Sequence, residues 1–92
     1  MNDSEQDLAG RIDAVAQALV WLTAELEMKH VIDGPRQSAA WRARRLPGGT
    51  PPAMAQACLR TLGQMADALD AARSVRQSRG RQRGSRSSRT PV

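Results

Sequence analysis

Aromatic side chains are nearly missing from this chain of 92 residues: it has Trp21 and Trp41, and neither phenylalanine nor tyrosine. Reading single-stranded nucleic acid by stacking bases on interleaved aromatic residues is therefore closed to it. Cysteine occurs once, at Cys58, which excludes an internal disulfide and reads as a small core residue. Histidine also occurs once, at His30. One His and one Cys at unrelated positions supply neither a metal site nor a nucleophile–base pair, so the chain reads as non-enzymatic and without a cofactor. No apolar run approaches the ~18 residues of a membrane span. The N-terminus is acidic, where a secretory signal would be basic and then apolar. These absences lead to the expectation of a cytoplasmic protein, from a bacterium or a phage growing in one, with no membrane partner.

Lysine is scarce too, with Lys29 the only one beside thirteen arginines, and the net charge of +5 is unevenly spread. Residues 1–35 hold seven acids against Arg11 and Lys29, a net of −5. Residues 36–72 carry a net of +3, and residues 73–92 have seven arginines and no acid, a net of +7. Such a dipolar chain can associate head to tail with its own copies or offer its basic end to an anion. Arginine suits bidentate contacts to phosphate and carboxylate. A GC-rich genome explains the Arg/Lys ratio more simply, but not the lack of acids at the end.

What the chain does have is helical periodicity. A first helix is expected over 4–32. Ser4 and Asp7 make a capping box, acids crowd its start, and Lys29 and His30 suit its end before Gly34-Pro35. Leu8, Ile12, Val15, Leu19, Leu22 and Leu26 follow at steps of 4, 3, 4, 3 and 4, an a/d seam of about three heptads. Ala9, Ala14, Ala16, Ala18 and Ala24 beside it let another helix approach. Trp21, Met28, Val20 and Val31 lie off the seam and form a second apolar strip.

A connector with a short helix in 36–46 follows, broken by Leu46-Pro47-Gly48-Gly49. A second long helix is expected over 51–77, with Thr50 as N-cap and Pro51 in its first position. Ala55, Cys58, Leu62, Met65, Leu69 and Ala72 form its seam. Gly63 costs that helix roughly 1 kcal/mol against Ala, which either marks a close crossing or is tolerated. Helicity should fade between Arg73 and Arg79, leaving residues 78–92, rich in Arg, Ser and Gly, disordered.

The expected fold is therefore all-α: an antiparallel helical hairpin of residues 1–77 with a disordered basic tail. Two half-wet helices make a thin core, so pairing with a second copy into a four-helix bundle is the simplest completion, with a homodimer favoured. The runner-up is a monomeric three-helix domain with the Trp41 segment as its third helix.

Three surfaces are candidates for function. Arg73, Arg76, Arg79, Arg81, Arg83, Arg86 and Arg89 form a polycation suited to phosphates and hence to nucleic acid, unless the tail merely solubilises. Arg79-Gly80-Arg81 resembles a minor-groove hook only in part, for the flanking prolines are missing. Trp41 among Arg36, Arg42, Arg44 and Arg45 either closes the core or forms a contact patch. The seam residues Leu8, Ile12, Val15, Leu19, Leu22 and Leu26, with Trp21 and Met28, suit a helical partner. A helix-turn-helix reading fails, because the helix after Thr50 opens Ala53-Met54-Ala55 and has nothing to read base edges. The expected function is a helical oligomerisation module whose basic tail contacts nucleic acid non-specifically. The alternative is a protein–protein module, such as a phage- or mobile-element-encoded inhibitor or a secretion or assembly adaptor.

Overall fold

The computed structural model describes residues 3–88, with side chains to residue 81. Its regular structure is wholly helical: α1 (Asp3–Met28), α2 (Gly34–Arg42) and α3 (Pro52–Ser88). None of these helices is long and apolar enough to cross a membrane.

The ends of the helices explain the chain path. α1 stops at Met28 rather than at residue 32, because His30 turns into the left-handed region at φ 60°. The His30 N–H donates to the Glu27 carbonyl and the Val31 N–H to the Leu26 carbonyl, at 3.0 and 2.9 Å, the paired bonds of a Schellman end. Gly34 and Pro35 therefore do not stop α1; they open α2. Asp33 caps that helix by accepting from the Arg36 N–H at 3.1 Å, and Pro35 fits its first turn, where an N–H is dispensable.

α3 begins one residue later than its sequence pattern implies. The Pro51 carbonyl accepts from the Ala55 N–H at 2.9 Å, which makes Pro51 the cap and Pro52 the first helical residue. Thr50 instead closes the preceding turn, its hydroxyl donating to the Pro47 carbonyl at 2.7 Å. α3 then continues to Ser88, past the expected fade at 73–79 and through most of the stretch expected to be disordered. No proline interrupts the chain between Pro52 and Pro91. Arg, Gln and Ala are good helix formers, and each interior Gly or Ser costs only ~1 kcal/mol or less. Residues 89–92 lie outside the described residues.

The two long helices run parallel, which corrects the expected antiparallel hairpin. Thr61 lies beside Ile12 and Ala16, Met65 beside Ala16 and Val20, and Arg73 and Arg76 bond Glu27, so residue numbers rise together along both helices. α2 makes this possible by carrying the chain back, antiparallel to α3, with Gly34 against Glu27 near Arg73 and Arg42 on Asp67. The Trp41 segment is thus the third helix of the runner-up arrangement.

The core is small: Val20, Ala24, Met65 and Leu69, with Ala16, Leu62 and Trp41 packed against it. The α3 seam points inward as its pattern requires. The α1 seam does not meet it. α1 turns its row of small residues, Ala16, Val20 and Ala24, toward the Leu and Met side chains of α3, because short side chains allow the closer approach. The result is elongated, 65 × 32 × 18 Å, with a radius of gyration of 18.0 Å, against ~12 Å for a compact chain of this length.

The glycines yield a paired prediction. A β-carbon at Gly63 would meet nothing within 4 Å, so the glycine marks no close crossing. Gly63→Ala is expected to raise the unfolding free energy by about 1 kcal/mol. A β-carbon at Gly34 would fall inside the Glu27 carboxylate. Gly34→Ala is expected to lower stability by more than Gly63→Ala raises it, both read by urea unfolding.

Candidate interaction site

The three helices are tied together by one charged cluster. Glu27 ends α1 with its carboxylate only 11% exposed. Arg73 Nε and Arg76 Nη2, both from α3, donate to its two oxygens at 2.5 Å. Arg73 Nη1 also donates to Asp70 at 2.9 Å. From α2, Arg42 Nη2 donates to Asp70 at 2.7 Å and to Asp67 at 2.9 Å. The Ser38 hydroxyl is buried on α2 close to Asp70, without a hydrogen bond of good geometry.

Burial pushes the Glu27 carboxyl up, but the hydrogen bonds and charges of Arg73 and Arg76 outweigh it and hold the group below its usual range. Asp70 is drawn down to about 2, chiefly by Arg42, with Ser38 and Arg73 adding to the effect. Arg73 is raised: burial acts against its charge, and the bonds to Glu27 and Asp70 more than offset that.

This cluster changes the standing of two arginines expected to contact nucleic acid. Arg73 and Arg76 are partly buried and bound internally, so their places are structural. A sequence signal for this existed. Glu27 continues the small-residue row of Ala16, Val20 and Ala24 at helical spacing, and an acid at the end of a buried row requires a cation opposite. Arg79 and Arg81 are exposed and make no ion pair among the described residues. The backbone at Arg83 and Arg86 belongs to α3, with their side chains outside the described ones. Arg89 lies outside the described residues.

The apolar candidates divide in two. Trp41 packs against the core, which accounts for it without an external partner. The α1 seam is left open: Leu8, Ile12, Val15, Leu19 and Leu22 are 48–60% exposed, while Leu26 is half-buried. At ~1.5–3 kcal/mol for full burial of each such side chain, the five forgo roughly 4–8 kcal/mol per copy. Two grooves flank the α1–α3 contact. One, of ≈ 340 Å³, is lined by Ile12, Val15 and Leu19 of the seam with Thr61 and Met65. The other, of ≈ 570 Å³, has Trp21 at its lip, with Val20, Gln64 and Met65. Trp21 and Met28 are themselves exposed.

His30 is exposed at the turn after α1, and Cys58 is half-buried on α3. Among the described residues no three His, Cys, Asp or Glu side chains group as a metal site would need. No family model, curated protein or solved structure matches the chain.

Removing Glu27 strands two cations against a buried position. Glu27→Ala is expected to cost about 3 kcal/mol of unfolding free energy. Because Asp70 and Glu27 bind protons more weakly in the fold than in the unfolded chain, their contribution is complete above the ordinary carboxylate range. It is lost as pH falls. The melting temperature is expected to hold down to about pH 5 and drop steeply between about pH 4 and 2, where the unfolded chain takes up protons at these two carboxyls more readily than the fold does. Asp70→Asn should lower the melting temperature at neutral pH and flatten that drop.

Proposed function

We propose that the chain is a non-enzymatic, cytoplasmic interaction protein. It self-associates through the open seam of α1 and holds nucleic acid, without strong sequence preference, at the arginine-rich end of α3. The observation that carries this reading is the order of charges along α3. Asp70 is the last acid, and the first two arginines after it are bound by Glu27. The unneutralised cation therefore begins at Arg79, just past the last contact with α1. On a helix that continues to Ser88, positions 79, 83 and 86 share one register, at steps of 4 and 3. A row of arginines at that spacing suits a phosphate backbone, where release of counterions drives binding. Self-association multiplies such arms and raises their avidity.

A second reading has its own observation. Trp21 is 67% exposed beside the larger groove, and tryptophan is the residue type most enriched at binding hot spots. In that reading Trp21 and Met28 dock a different protein, as an inhibitor or an assembly adaptor would, and the arginines are incidental.

Duplex DNA binding across a salt series separates the two. Arg79, Arg81, Arg83, Arg86 and Arg89 give up to five phosphate contacts per chain. The expected logarithmic salt slope approaches about −4 to −5 per chain. A chain ended at Ser78 keeps the Glu27 cluster and is expected to lose at least ~100-fold in affinity at low salt. Equal binding by the shortened chain, or a slope near zero, rejects the nucleic-acid reading and leaves the Trp21 surface as the functional one.

A further inference from the structure

We infer that the α1 seam takes the α1 helix of a second copy in antiparallel orientation, about a twofold axis at the level of residue 17. This rests on the self-association proposed above and adds its orientation, register and ion pairs.

The two flanks of the seam differ. The row that follows Leu8, Val15 and Leu22, namely Ala9, Ala16 and Thr23, lies on the side where α3 packs, with Ala16 against the core. The row that precedes Ile12, Leu19 and Leu26 is exposed and reads Arg11, Ala18, Glu25, with Arg11 at the edge of the smaller groove. That exposed flank decides the orientation. In an antiparallel pair it faces itself reversed. Arg11 then stands opposite Glu25 of the second copy, the same pair recurs by symmetry, and Ala18 meets Ala18 at the centre, where small side chains permit close approach. The seam layers remain apolar throughout: Leu8 on Leu26, Ile12 on Leu22, Val15 on Leu19. The acidic first turn, Asp3 to Asp7, lies alongside Lys29 of the other copy.

A parallel pair loses each of these. Arg11 would face the alanine row instead of an acid, and two acidic first turns would stand side by side. Arg11 is not committed elsewhere: its bond to Asp7, at 3.0 Å, joins two well-exposed side chains and contributes little. Glu25 makes no ion pair among the described residues and is exposed. The Leu19 side of the smaller groove, with Thr61 and Met65, gives the second helix a floor as well as a seam.

Three measurements on the full-length chain test the inference. Light scattering should give a dimer, and Leu19→Asp should give a helical monomer, since Leu19 is exposed within one copy. Arg11→Glu and Glu25→Arg should each weaken the dimer roughly tenfold, and the double reversal should restore it. A spin label at Gln6→Cys, in a Cys58→Ala background, should report a distance of about 33 Å between copies, from the rise of ~1.5 Å per residue; parallel helices would place it near the interaxial distance of about 10 Å. A monomer overturns both this pairing and the self-association beneath it. A dimer that survives Leu19→Asp, holds its labels close together, or ignores charge reversal overturns the antiparallel seam alone. The salt-series experiment on DNA is independent of all three.

Discussion

Everything in the molecule is arranged around one carboxylate. Glu27 is nearly buried, and a charge there is tolerated only because two guanidinium groups reach it from α3. The bond geometry fixes the rotation and axial position of α1 on α3. Arg73 passes the constraint on to Asp70, and Asp70 passes it to Arg42, so α2 is held by the same chain of bonds. Gly34 completes the arrangement: only a residue with no β-carbon lets α2 start where the carboxylate sits. Apolar packing alone would not define this geometry, since Val20, Ala24, Met65 and Leu69 form a small, slippery contact between small and flexible side chains. The charges supply register where the core is too thin to do so.

The same constraint divides the surface of α1. With Glu27, Ala24, Val20 and Ala16 committed to α3, helical geometry turns the heptad seam about a third of a turn away, out to solvent. A seam of that length has no reason to persist on a free surface, where scattered leucines are common but an unbroken a/d row is not. On the opposite side of the buried row, Trp21 and Met28 are exposed in turn. One face of the helix is thus committed within the chain while the seam stays exposed, and the choice between them was made by a single acid at its end.

Much of this was legible in the sequence. Helical class, the two long seams, the break at Leu46-Pro47-Gly48-Gly49 and the helix around Trp41 followed from periodicity and turn chemistry. The register and direction of the helices did not. Two matching seams invite the assumption that they pair with each other as the two arms of an antiparallel hairpin. The structure shows the α3 seam buried against the small-residue row of α1, because Ala and Val admit Leu and Met more closely than leucine does. The end of α1 was misplaced for a local reason, as a left-handed His30 gives no compositional signal comparable to Gly. The arginine cluster was misread in part because a run of like charges looks uniform in sequence. Folding separates it at Arg76, leaving two residues bound to Glu27, while Arg79 and Arg81 are exposed without an ion pair among the described residues.

Direction matters most for what the arginines can do. Because α3 runs parallel to α1, the basic end of α3 points the same way as the end of α1, and whatever orients two copies of α1 also orients two basic ends. A parallel pair would crowd both cationic ends together, repelling each other and serving one phosphate tract. An antiparallel pair sends them outward at opposite ends of the assembly. α3 has 37 residues and is about 55 Å long, so in the proposed antiparallel pair the two ends stand far beyond a Debye length of ~8 Å and do not repel each other. On the proposed nucleic-acid reading, an assembly of that form would join two nucleic-acid segments, or two distant parts of one, instead of gripping a single site. The placement of one acid beneath Arg73 and Arg76 thereby bears on the reach of the whole: it sets α1 on α3, leaves the seam free to pair, and starts the unneutralised charge at the point where α3 leaves the body of the protein.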